Sequence, residues 1–350
     1  MRPYTTSVVL PKPQCIWLFI DSQAVGGIET HVANLALALA KRDHSVSVVF
    51  WQSYQVQHPM IELLNQHHIA WVMLDGSIGS IMHAMNDYPP CLIHSHGYKA
   101  SIISRMLRLI KPLKLVSSFH AGEISKGRMA LYDFIDRYSA LLSHKRVAIS
   151  TDIANRIGAP SKVIDNFIDV PASAVCQLSK REKPTIAFVG RLTAVKGPDR
   201  FYQLAKRLPQ FDFVVFGEGE MRPKEDVLAL NNLVFHGQKN SMELHWRNID
   251  LLCMPSRNEG LPMAALEAMG RGIPVIATNV GGLSRLIEHQ VNGFLFSGFN
   301  LDCWQACIVD WHQDRSMQAA IARQAKRTIK QRFSADAVLP QFELLYQQLI

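Results

Sequence analysis

The stretch CIWLFIDSQAVGGIETHVANLALALAKRDHSVSVVFW (15–51) changes its hydrophobic period twice. An unbroken apolar run from Cys15 to Ile20 gives way to Ile28, Val32, Leu35, Ala36 and Leu39 at helical spacing, and then to a second run from Ser45 to Trp51. Continuous apolar strands around a helix are what a parallel sheet with crossover helices demands, because both faces of each strand are covered. Working outward, LIHSH (92–96), LVSSF (115–119) and RVAIS (146–150) extend the series, with helical stretches between them. A second series follows: TIAFVG (185–190), FDFVVFG (211–217), LVFHG (233–237), DLLCMPS (250–256) and IPVIAT (273–278). Between the two lies PASAVCQLSKREKP (171–184), small, charged and flanked by prolines, as a linker is. The fold class read from this is α/β, two Rossmann-like domains facing a central cleft: a first domain over 1–170, a linker over 171–183 and a second domain over 184–333. The remainder, 334–350, reads as a helix broken at Pro340, with Phe342, Leu345 and Leu349 on one side; it could dock on either domain and is assigned to the first.

A length of 350 residues suits two domains that each bury a core, and 48% hydrophobic against 19% charged residues excludes a disordered chain. The net charge of +8 attracts phosphates or an anionic surface without choosing between them. Six cysteines without a CxxC pair are expected to be reduced thiols. The apolar run Val8 to Leu10 ends at Pro11, too short for a signal sequence, so the expected location is cytoplasmic. No stretch approaches the roughly 18 apolar residues of a membrane span.

Three segments carry chemistry. In EGLPMAALEAMGRGIPVIA (259–277), Pro262 suits the first turn of a helix, which places Glu259 in the preceding loop and Glu267 about one and a half turns in. Free N–H groups at such a helix start suit a phosphate or a sugar hydroxyl held over Gly260, Leu261, Pro262 and Met263. In VGRLTAVKG (189–197), Gly190 ends a strand, and Arg191 and Lys196 offer a fork and a point charge to a departing diphosphate. In AVGGIETH (24–31), Gly26 and Gly27 permit close backbone approach at another helix start. No GxGxxG fingerprint accompanies these strands, which disfavours a dinucleotide dehydrogenase. His94, His96 and His120 stand at strand ends, but without a cysteine pair or HExxH pattern they do not read as a zinc site.

These segments resemble the retaining GT-B glycosyltransferases of glycosyltransferase family 4. Glu259 and Glu267 match the family's E-x7-E element, VGRLTAVKG its GR…KG element, GGIE its GG-x-E loop, and DNFID (165–169) its interdomain NG-x-D element. The resemblance implies a nucleoside diphosphate sugar donor, with Glu259 at the sugar hydroxyls, Glu267 at the ribose and Arg191 and Lys196 on the leaving diphosphate. It also implies that Gly217 and Glu218 of GEGEMR (217–222) lie near the nucleotide, that His120 lies near the reacting sugar, and that His96 belongs to an acceptor-side H-x-H element. No metal and no other cofactor is expected, and no DxD motif occurs. In the family the leaving phosphate helps deprotonate the acceptor, so no enzymic nucleophile is needed. Arg285 stands where the family commonly has a glutamate, reversing the charge beside VGG (280–282). A nucleoside diphosphate sugar epimerase and a nucleotide-sugar-binding pseudoenzyme remain the alternatives.

The segment 99–146 holds ten cations (Lys99, Arg105, Arg108, Lys111, Lys114, Lys126, Arg128, Arg137, Lys145, Arg146) against Glu123, Asp133 and Asp136. Ile102, Ile103, Met106, Leu107 and Ile110 are interleaved with them, as in a helix lying on anionic lipid. The expected partners are the nucleotide-sugar donor, a saccharide or lipid-linked acceptor of bacterial surface polysaccharide (lipopolysaccharide, capsule or exopolysaccharide) assembly, and the inner face of the cytoplasmic membrane, with no nucleic acid.

Overall fold

Each of the ten runs read above as part of the two strand series forms a strand, and parallel pairing places the ends of those strands together. The computed structural model describes residues 3–23, 26–54, 58–120, 128–170, 183–223 and 225–350, with backbone alone at Arg128, Met129 and Asp226. The chain divides into two units, Met1–Asp169 with Ala335–Ile350, and Val170–Ser334. Nearly all of the expected linker, 171–182, lies outside the described residues.

The sheet of the first unit contains β1 (Tyr4–Thr6), β2 (Ile16–Ile20), β3 (Val46–Phe50), β4 (Ala70–Leu74), β5 (Leu92–His96), β6 (Leu115–Phe119), β7 (Lys145–Ala148) and β8 (Lys162–Val163). Its spatial order is β1-β4-β3-β2-β5-β6-β7-β8, parallel except for β1, which pairs antiparallel with β4. Side chains alternate across it: Leu18 and Ile20 meet Val32, Leu35 and Leu39 of helix Gly27–Lys41, while Trp17 and Phe19 meet Ile81, Ile103 and Leu107 on the opposite face. The second unit repeats the plan with β9 (Thr185–Val189), β10 (Asp212–Phe216), β11 (Leu233–Gly237), β12 (Leu251–Met254), β13 (Val275–Thr278) and β14 (Phe294–Phe296), all parallel, in the order β11-β10-β9-β12-β13-β14.

In each unit the chain winds to one side of its first long strand and then returns to wind to the other. That reversal leaves β2 beside β5, and β9 beside β12, as the neighbouring strands at which the winding changes direction. Such switch points are where open α/β sheets bind ligands.

The structure corrects the sequence reading at Pro340. Helix Ala335–Gln347 runs through it without a break. Pro340 is the sixth helical residue and removes one early backbone bond, while Val338, Leu339, Phe342, Leu345 and Tyr346 bury the helix face against the first unit. The helix is tethered further by Glu343, which pairs with Arg42 and His44 at 2.9 Å each, and by the Ala335 N–H, which donates to the Ile168 carbonyl at 3.1 Å. Strands β1, β4, β8 and β14 were not among those expected.

Candidate active site

The β9/β12 switch point collects the charged residues of the second unit. After β9, Gly190 and Gly217 meet back to back: Gly217 sits at φ +148, and a Cβ there would fall 1.9 Å from the Gly190 carbonyl oxygen. This contact requires glycine and holds the backbone after β10 against the start of the Arg191 loop. The Glu218 carbonyl accepts from the Leu192 N–H at 2.9 Å, and the Glu218 carboxylate lies 3.7 Å from Arg222. Arg191 is exposed at this edge.

The same loop then turns inward. Lys196 Nζ donates to Glu259 Oε2 at 2.6 Å, and the Ser256 hydroxyl donates to Glu259 Oε1 at 2.7 Å. The Glu259 side chain is 2% exposed and that of Lys196 is 21% exposed. Two independent ties hold the loops in register: Arg257 makes a forked pair with Asp199 and donates to the Ala194 carbonyl, and Arg200 donates to the Pro255 carbonyl at 2.9 Å. From the other side, Gly281 in the left-handed region (φ +59) lies against the Glu259 carbonyl, and the Gly282 N–H donates to the Gly260 carbonyl at 2.5 Å. Arg285 closes over this turn, its guanidinium 3.4 Å from where a Cβ on Gly282 would stand.

Pro262 is the N-cap of helix Met263–Gly270 rather than its first residue, and no side chain caps the helix start. Glu267 is the fifth helical residue. Trp246 donates its indole N–H to Glu267 Oε2 at 3.0 Å. Burial pushes the Glu267 carboxyl pKa up, and this hydrogen bond pulls against it. The two glutamates therefore have different surroundings, one ion-paired and one neutral-bonded. Among the described residues, Ser256 and Trp246 were missed by sequence reasoning. A serine three residues before Glu259 was a faint signal, whereas the Trp246 pairing spans two elements and left none.

In the first unit, Gly26 is the N-cap of helix Gly27–Lys41, and the Glu29 carboxylate folds back toward it; residues 24–25 lie outside the described residues. His96, at the end of β5, has its Nδ1 3.1 Å from His120 Nε2. His94 is fully satisfied, by the Tyr346 hydroxyl and the Ser118 hydroxyl at 2.7 Å each. His31 stacks beside them, 1% exposed, and was also missed, although a histidine on the apolar stripe with Leu35 and Ala38 is a readable signal. Burial pushes the His31 imidazole down to about 4, and burial together with neighbouring imidazoles holds His94, His96 and His120 well below the ordinary value, so all four are neutral at pH 7. A small pocket of about 40 Å³ opens beside His120, walled by Asp133 with Arg137 at 3.0 Å and Arg156 at 3.7 Å.

The basic segment is rearranged relative to expectation. Arg105 is buried and bonded to Asp136 at 2.8 Å, which removes it from the surface, and Ile103 and Leu107 face the core. What helix Tyr98–Ile110 shows to solvent is Met106, Leu109 and Ile110, and helix Arg128–Tyr138 with the turn after it shows Leu131, Phe134, Tyr138 and Leu141. Glu123, Lys126 and the Arg128 side chain lie outside the described residues.

With this geometry in place, comparison with known proteins is specific. The family model Glycosyl transferases group 1 matches residues 175–328, and Glycosyltransferase Family 4 matches residues 25–170. An uncharacterized glycosyltransferase of Haemophilus influenzae is 33% identical over 317 residues, 80% of this chain and 84% of its own length. The O-antigen biosynthesis glycosyltransferase WbnH of Escherichia coli is 29% identical over 219 residues, 58% of this chain and 64% of its own. The structure of Anabaena HepE in complex with UDP-glucose matches with a TM-score of 0.78 at 22% identity, covering 95% of this chain and 99% of that one. The chain belongs to glycosyltransferase family 4 and has the family's GT-B fold of two parallel-sheet α/β domains.

The packing of Gly281 on Glu259 makes a prediction. In Gly281→Ala the new Cβ would lie 2.0 Å from the Glu259 carbonyl oxygen. The loss of stability should exceed the roughly 1–2 kcal/mol of a left-handed alanine, seen as a lowered urea midpoint with unchanged slope; a midpoint equal to that of the wild type would contradict this contact.

Proposed function

We propose that this protein transfers a sugar from a nucleoside diphosphate sugar to an acceptor hydroxyl, with retention at the anomeric carbon and without a metal. The observation that carries the reading is the Lys196–Glu259 pair at the β9/β12 switch point. Before donor binds, Glu259 neutralises Lys196. An incoming diphosphate competes for Lys196, assisted by Arg191, and frees the Glu259 carboxylate to accept from the sugar hydroxyls. Glu267 takes the ribose, and the N–H groups at the start of helix Met263–Gly270, with Gly260 to Pro262, face the diphosphate. The bond between the anomeric carbon and the phosphate oxygen breaks with its electron pair going to the diphosphate. The acceptor oxygen bonds to the same face, and its proton passes to the leaving phosphate. Lys196 and Arg191 hold the charge that develops, which is the part a divalent cation plays elsewhere.

The UDP-glucose complex of the Anabaena neighbour supports this donor class. His120 and His96 are assigned to the acceptor side, where a pocket opens beside His120. Likeness to the O-antigen enzyme supports a surface-polysaccharide acceptor. No described helix is long and apolar enough to cross a membrane, and we assign the exposed ridge of Leu131, Phe134, Tyr138, Leu141 and Met106, with Arg108, Lys111 and Lys145 near it in sequence, to peripheral contact with the cytoplasmic membrane's inner face.

Lys196→Ala strands a buried carboxylate, which costs about 3–5 kcal/mol of stability, whereas Lys196→Ala with Glu259→Gln removes that cost. In thermal-shift assays with EDTA across nucleoside diphosphates and their sugars, the wild type should select one nucleotide. The double variant should melt near the wild type, bind none, and turn over about 10²–10³-fold more slowly. Donor conversion without acceptor would indicate the epimerase, and no wild-type shift would indicate a different ligand. Flotation with anionic vesicles should be lost in Leu131→Glu/Phe134→Glu; equal flotation on neutral vesicles would remove the membrane assignment.

A further inference from the structure

The β2/β5 switch point of the first unit contains a cluster of three histidines, of which the transfer reaction proposed above uses His96 and His120 and leaves His31 and the convergence of all three unexplained. His31 from helix Gly27–Lys41, His96 from the end of β5 and His120 after β6 converge from three separate elements. Their ring centroids form a nearly equilateral triangle: 5.5 Å for His31–His96, 4.9 Å for His31–His120 and 5.4 Å for His96–His120. Three imidazoles around a tetrahedral ion, each with its nitrogen about 2.0–2.1 Å from the metal, hold their centroids about 5 Å apart and their nitrogens about 3.3 Å apart. Here one nitrogen from each ring lies within 4.8 Å of the others, and the His96–His120 pair is already at 3.1 Å.

The second observation is unmet bonding capacity. Neither ring nitrogen of His31 has a hydrogen-bond partner, nor has His96 Nε2, although both side chains are almost wholly buried. The adjacent His94 has both nitrogens bonded. Buried polar atoms are normally satisfied, so a buried His31 with neither nitrogen bonded, set between the rings of His96 and His120, suggests a missing group. Three neutral nitrogen donors without a carboxylate suit zinc, cobalt or nickel and not magnesium or calcium, which take oxygen ligands.

We propose that His31, His96 and His120 bind a transition-metal ion of the zinc class, with the fourth position open to the pocket beside His120. Coordination requires only that whichever of His96 and His120 donates in their hydrogen bond move its proton to its other ring nitrogen, so no net proton leaves. The ring nitrogens that turn away from the ion have few partners, which makes the site about 10–100-fold weaker than a fully supported one. Occupancy would take up the His120 lone pair. That the loaded protein should then lose transfer rests on the acceptor role proposed above; the site itself does not.

The test uses the untagged full chain, stripped by chelator and titrated with Co²⁺. One equivalent should produce intense visible bands of a tetrahedral nitrogen-ligated ion. His31→Gln and His96→Asn should each weaken binding by roughly tenfold or more, while His83→Gln, on an exposed helix face, should not. X-ray absorption of the Zn²⁺-loaded wild type, which needs no variant, should count three imidazoles near 2.0 Å. Weak octahedral bands, binding unchanged in His31→Gln, or a shell of oxygen ligands would overturn the proposal. Loading that leaves transfer intact would keep the site and remove His120 from the reaction.

Discussion

The Lys196–Glu259 ion pair is the constraint around which the second unit's site is organised. A carboxylate this buried is tolerated only with a cation and a further donor beside it, and Lys196 and Ser256 supply both. That requirement fixes where the loop after β9 must lie relative to the loop after β12. The remaining features follow: the Arg257–Asp199 fork and the Arg200 bond to Pro255 clamp the two loops, and Gly281 lies close because a side chain there would push Glu259 away. A pair of this kind adds little net stability, since attraction is largely offset by desolvation. What it does fix is the position of a cation and a carboxylate at the β9/β12 switch point.

The two units use one topology for opposite electrostatics. In the second, charged groups from the carboxyl ends of β9 and β12 are paired and partly accessible. In the first, the equivalent ends of β2 and β5 lie beside a cluster of neutral imidazoles, His31, His94 and His96 buried and His120 partly so. Charge suits a diphosphate; neutral nitrogen lone pairs suit proton acceptance, hydrogen bonding or a soft cation. This division follows from burial, because the same histidines in water would titrate close to neutrality.

The parallel strands were legible because each is buried on both faces and so reads as a continuous apolar run, as β2, β5 and β6 do. Strands β1 and β8, three and two residues long, are too short to show a period, and β4 (AWVML) lies in a region whose pattern is otherwise weak. Pro340 misled because the penalty of proline is local and the buried face of Phe342 and Leu345 outweighs it. At the candidate site, Glu259, Glu267, Arg191 and Lys196 were singled out by spacing together with the family resemblance, and the fold pairs two of them, Lys196 and Glu259. Their actual partners, Lys196 with Glu259 and Trp246 with Glu267, were not legible, since pairing across elements is set by the fold. Arg105 shows the same limit: in sequence it is one cation of a basic run, and in the fold it is the buried partner of Asp136.

The central claim is retaining transfer from a nucleoside diphosphate sugar held by the Lys196–Glu259 site. Its most direct test is proton NMR of the sugar first released when the selected donor is incubated with the protein and EDTA in the absence of acceptor, with water taking the acceptor's place. The account predicts nucleoside diphosphate together with free sugar in the anomeric configuration of the donor. Sugar released first as the opposite anomer, or turnover that begins only when a divalent cation is restored, would contradict it.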